Sequence, residues 1–118
     1  PAGPAGPSGA TAVKWALFQA DGTIVAQSGG ISLATRPFAG AYIVNFGSSV
    51  KGKSIVVSSA FAGGDIAPRG SLAAGPCGGP PEGLACPSSN DANHAWVSSY
   101  NPGNTALQEH SFYLSVLG

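Results

Sequence analysis

The segment VKWALFQADGTIVAQ, residues 13–27, decides the class of fold. Val13, Trp15 and Leu17 alternate with Lys14, Ala16 and Phe18, the period of two at which successive side chains of a strand point to opposite faces. Asp21-Gly22 falls where a tight hairpin turn sits, and TIVAQ (23–27) supplies the partner strand. The same period recurs downstream. AYIVNF (41–46) sets Tyr42, Val44 and Phe46 on one side, and SIVVSSAF (54–61) is a β-branched run suited to a buried or half-buried strand. The glycine in KGK (51–53) predicts a short connection between them. HAWVSSY (94–100) and HSFYLSVL (110–117) are the last two strands, separated by NPGN, whose Pro102-Gly103 pair suits the centre of a type II turn. Phe112, Leu114 and Val116 alternate with Tyr113, Ser115 and Leu117, so both faces of the final strand carry apolar side chains. A strand with one face in water needs only one such face.

No segment places apolar residues at helical spacing over three turns, because Gly, Pro or Ser interrupts every candidate. The expected class is all-β with short antiparallel strands, a sandwich or a barrel. The sandwich over residues 13–118, with a jelly-roll path as one form of it, is the expectation carried forward. Residues 62–93 read as one long irregular stretch, and loops of that length serve binding, assembly or flexibility.

Composition narrows the function. Only 8% of the 118 residues are charged, five acidic and five basic, for a formal net charge of zero, whereas Gly (18) and Pro (10) abound. Lys14, Arg36, Lys51, Lys53 and Arg69 are scattered and form no cationic track for nucleic acid. No apolar run approaches the length of a membrane span. Cys77 and Cys86 are the only cysteines. A local disulfide between them would contribute about 2–3 kcal/mol and would persist in an oxidising compartment. The rival is a zinc site of Cys77, Cys86, His94 and His110, whose spacings do not follow the short paired pattern. His94 and His110 fit better at strand starts, exposed or pairing with a neighbour such as Glu109.

Chemistry-bearing motifs are missing. No G-x-S-x-G elbow, H-E-x-x-H pair or phosphate-binding loop is present, so a non-enzymatic protein without cofactor is expected, with an extracellular hydrolase as the enzyme alternative. Asp21, Asp65 and Asp91 read as turn formers. A calcium site joining Asp65 to Asp91 is the alternative for two of them.

Upstream of the first strand stands PAGPAGPSG, with Gly3, Gly6 and Gly9 spaced three apart. Only glycine fits the axis of a collagen triple helix, so residues 1–9 read as the end of a Gly-X-Y repeat and 10–12 as a linker. A stiff Pro-rich spacer is the plainer reading. No proline precedes a following glycine, where hydroxyproline stands in animal collagens, which points to a bacterium or virus. The chain starts inside a triplet and without Met, so a fragment or processed product is expected.

The order VKWALFQADGTIVAQSGGIS, then AYIVNF, then HSFYLSVLG, directly after Gly-Pro-Ala triplets, resembles the C-terminal globular heads of bacterial or phage collagen-like proteins. The likeness covers nearly the whole chain through weak motifs: a Trp-Ala-Leu strand, an Asp-Gly turn and an aromatic-apolar last strand. It implies an extracellular homotrimer, on a cell surface or a virion fibre, that aligns three chains so that a triple helix zips from it. Complement-type and tumour-necrosis-factor-like jelly rolls are the better-known analogues, from which this chain departs in its small size and its Cys-bearing Gly/Pro loop. The interface candidates are Trp15, Phe18, Tyr113 and Leu117. A higher-order filament of heads is a variant of this reading. The alternative is an adhesin or fibre tip that grips a glycan or protein receptor through the 62–93 loop or through Trp96 and Tyr100.

Overall fold

Two four-stranded antiparallel sheets enclose one apolar core in the computed structural model, which describes residues 13–118. Gly3, Gly6 and Gly9 and the linker 10–12 lie outside the described residues. The strands are β1 (Val13–Phe18), β2 (Ile24–Gln27), β3 (Ser32–Phe38), β4 (Ala41–Asn45), β5 (Ser54–Ser59), β6 (Leu72–Pro76), β7 (His94–Ser99) and β8 (Phe112–Leu117). The first sheet runs β2-β1-β8-β5 and the second β3-β4-β7-β6, and no helix occurs among the described residues.

Register explains which side chains enter the core. Lys14, Ala16 and Phe18 of β1 stand opposite Val116, Leu114 and Phe112 of β8. Directly paired residues share a face, so this row packs inward against Tyr42 and Val44 of β4 and Ala95 and Val97 of β7. Phe18 stacks on Phe112 with ring centroids 4.8 Å apart, and Tyr42 tilts against Phe112 at 4.9 Å. Lys14, at the end of this row, turns its Nζ to the Phe46 carbonyl at 2.6 Å.

The hairpin at Asp21-Gly22 forms as its residues require. Asp21 Oδ1 accepts the Thr23 N–H at 2.9 Å, and Gly22 takes a φ of 92° that a side chain would strain.

Two sequence expectations need correction, the irregular 62–93 stretch and the type II turn, and two features go beyond the pattern. Residues 62–93 are not irregular throughout, because Leu72–Pro76 forms β6 beside β7. Residues 32–38 form a strand that their pattern hides: β3 is an edge strand with two irregularities of register, where Pro37 is tolerated. The last two strands lie in different sheets, so residues 100–111 cross the end of the molecule. Asn104 N–H closes the turn on the Asn101 carbonyl at 2.9 Å, but the left-handed φ falls on Asn104 (55°) rather than on Gly103, so the turn is not type II.

The two ends of the sandwich differ. Val13, Leu117 and Ser54 stand in register at one pole, where the chain enters, together with Phe46 and the loop after Pro76. Phe18, Phe112 and Ser59 stand at the other, where residues 19–23, 60–71 and 100–111 meet.

Candidate functional site

The outer face of the first sheet is built from the residues that alternate with its core row. Across β1, β8 and β5 the outward sets are Val13, Leu117 and Ser54; Trp15, Ser115 and Val56; and Leu17, Tyr113 and Ser58. None of these is charged. Val13 is 49% exposed, Val56 48% and Tyr113 45%, and no described segment folds over them. Trp15, Tyr113 and Leu117 therefore share one surface. Phe18 does not join them: it is 0% exposed and belongs to the core, because in β1 it has the parity of Ala16. It cannot serve as an interface residue of the folded subunit.

The second sheet is treated differently. Cys77 and Cys86 are bonded to each other, which removes the zinc alternative, and the loop they close packs on the outer face. Cys77, Cys86 and Leu84 cover Ile43 and lean on Trp96. Asn90 Oδ1 braces the loop by accepting the N–H groups of Gly78 at 2.8 Å and Cys86 at 2.9 Å, and the Glu82 carboxylate accepts that of Gly52 at 2.6 Å. At Gly83 a Cβ would overlap the Pro76 carbonyl, so only glycine permits this approach. Trp96 is half-buried, donates Nε1–H to Ser98 Oγ at 2.6 Å and lies 6.5 Å from the Phe38 ring. Tyr100 is half-buried and bridged to Leu107. Neither presents the open aromatic surface expected of a ligand platform. Phe38 and Phe61 are more exposed, and the sequence pattern did not single them out.

The far pole holds a buried polar cluster. The Asp65 carboxylate accepts the Ser111 backbone N–H at 2.8 Å and lies 3.3 Å from both His110 Nδ1 and Arg69 Nη2. Burial pushes the Asp65 carboxyl up, but the Ser111 N–H, His110 and Arg69 together outweigh it and hold the group below its ordinary value. Ser111 Oγ donates to the Ala60 carbonyl at 2.5 Å and not to His110, so Ser, His and Asp form a brace and not a proton relay. Glu109 pairs with Arg36, and His94 pairs with Asp91 at 2.7 Å. Asp65 and Asp91 sit at opposite poles with separate partners, which removes the shared calcium site. Among the described residues no three His, Cys, Asp or Glu side chains gather as a metal site, and no helix is long and apolar enough to cross a membrane.

Comparison with protein-family models, with curated proteins and with solved structures finds no match for this chain.

Proposed function

We propose that residues 13–118 are the non-enzymatic trimerisation head of an extracellular collagen-like protein, and that the outer face of the first sheet is where three copies meet. The observation that carries this reading is the contrast between the two sheets. On the outer face of the second the chain covers Ile43 and leans on Trp96 with its own disulfide-closed loop, leaving Phe38 exposed, and it leaves uncovered on the first an uncharged face of Val13, Trp15, Leu17, Val56, Tyr113 and Leu117. Uncovered apolar surface of this kind marks an association site.

The occupant follows from the chain that precedes it. Gly3, Gly6 and Gly9 fit a triple helix, and the four steps from Gly9 to Val13 reach at most about 14 Å. Three chains leaving one triple helix would therefore begin β1 close to a common axis, with the β1 face turned toward its copies. Bringing three chains into register costs entropy that a folded trimer meets once for the whole repeat. The pairing of β1 with β8 and of β4 with β7 suits a jelly-roll-like wrap. The Cys77–Cys86 bond suits an oxidising compartment, and so a cell surface or a virion fibre.

Light scattering on the chain lacking residues 1–9 tests the reading. Three times the single-chain mass is the expected result, and a monomer would overturn it.

A further inference from the structure

Lys14 is the one charged residue in the inward row of β1 and β8. Its half-buried side chain donates from Nζ to the Phe46 carbonyl at 2.6 Å, beside the backbone of Gly30 and Gly47, so the ammonium is fixed in place. That bond uses one of its three donors. Among the described residues no carboxylate pairs with it, and residues 1–12 contain no Asp or Glu.

The fold brings a second cation to the same pole. Lys53 stands just before β5, and its stem lies against Gly118, which follows β8. Lys14, Lys53, Ser48 and Ser49 line a cleft of about 160 Å³ together with the buried Val50 and Val116. Lys53 likewise has no carboxylate partner among the described residues. Ser49 Oγ accepts the Lys51 N–H at 3.2 Å, which leaves its own proton to donate. No acidic side chain lines this cleft. Glu82 and Asp91 line the neighbouring one with Lys51, where Glu82 accepts the Gly52 N–H and Asp91 faces His94.

Size, charge and donor type narrow the occupant. The volume lies well below the roughly 300 Å³ at which drug-sized ligands begin to fit, so a small group is required. Two ammonium groups that share a cleft without a counter-charge repel each other, and a dianion between them replaces that repulsion with attraction. Planar carboxylates match the fork of an arginine, whereas lysine acts as a point charge and suits a tetrahedral oxyanion. Arg36 and Arg69 are both engaged at the opposite pole. The hydroxyls of Ser48 and Ser49 add neutral donors for the remaining oxygens.

We propose that this cleft binds a phosphate group, as inorganic phosphate or as the terminal monoester of a larger molecule. Each chain carries the whole site, so the proposal does not rest on trimerisation.

Heteronuclear NMR of the full chain tests it, with sodium phosphate titrated against sodium chloride of equal ionic strength at about pH 7.5, where a phosphate monoester is doubly charged. Saturable shifts are expected at residues 14, 47–53 and 118, and none around Arg69. Lys53→Gln, at an exposed position, should keep the spectrum of the fold and weaken binding about fivefold. Lys14→Gln with Lys53→Gln should abolish it. Lys51→Gln, in the neighbouring cleft, should stay within about twofold of the wild type. Glycerol phosphate distinguishes the sources: the same shifts would assign the cleft to a monoester, and their absence to the free ion. Shifts reproduced by chloride, shifts centred on residues 76–82, or binding unchanged in Lys53→Gln would overturn the proposal.

Discussion

Asp65 and Ser111, 46 residues apart in the chain, are joined where the Asp65 carboxylate accepts the Ser111 backbone N–H at 2.8 Å. The bond ties the loop after β5 to the entry of β8 and gives Arg69 and His110 a common acceptor. Asp65→Asn removes the charge that faces Arg69 and should destabilise the fold by about 2–3 kcal/mol. Urea unfolding at pH 7 measures it.

Acid should weaken the same tie. The native Asp65 carboxyl titrates below its ordinary value of 3.8, so the folded state binds that proton less readily than the unfolded chain. The stabilisation is complete above the unfolded value and is lost as pH falls through the folded one. Asp21 and Asp91 are lowered as well, by the N–H of Thr23 and by His94 respectively, and act in the same direction. The urea midpoint should hold down to about pH 5 and fall below about pH 4, less steeply in Asp65→Asn. An unchanged slope in that variant would remove Asp65 from the account.

Tyr113 and Phe18 should respond differently although both are aromatic residues of the first sheet. Tyr113→Glu with Val56→Glu places charge on the outer face and should lower the mass of the proposed trimer to that of a monomer while each chain stays folded. Phe18→Ala opens a cavity between Phe112 and the opposite sheet and should cost about 3–5 kcal/mol. Light scattering and thermal unfolding, run on both variants, separate dissociation from unfolding.

The disulfide can be tested without touching the outer face of the first sheet. Cys77→Ser with Cys86→Ser frees the loop that covers Ile43 and should cost about 2–3 kcal/mol. Protease should then cut within residues 78–90 at concentrations that leave the wild type intact. Equal resistance would mean that the Asn90 and Glu82 hydrogen bonds alone secure the loop.

The central strands are legible because their side chains follow one rule: in β4 and β8 every second residue is apolar and packs inward, and in β1 and β7 the inward row departs from this only at Lys14 and Ser99. Alternation leaves open which face of a strand is inside, which is why it does not separate Phe18, a core residue, from Trp15, Tyr113 and Leu117 on the outer face. Edge strand β3 is hidden in the sequence because Arg36 and Pro37 break its pattern, and β6 because Leu-Ala-Ala-Gly-Pro has no β-branched residue. The Asp65 cluster left no trace in the sequence. Asp65 and Arg69 stand more than forty residues from His110 and Ser111, and the two pairs meet only because two crossing loops share a pole.

Val13 begins β1 in the middle of its sheet, between β2 and β8, with six residues in register against β8. Tension arriving through residues 1–12 while the opposite pole is held would run along β1, parallel to its own axis. It would load the ladder hydrogen bonds on both flanks in shear, all at once, instead of peeling them one after another from an edge. A domain pulled in this way resists force through its first strand, which both neighbours hold along its length.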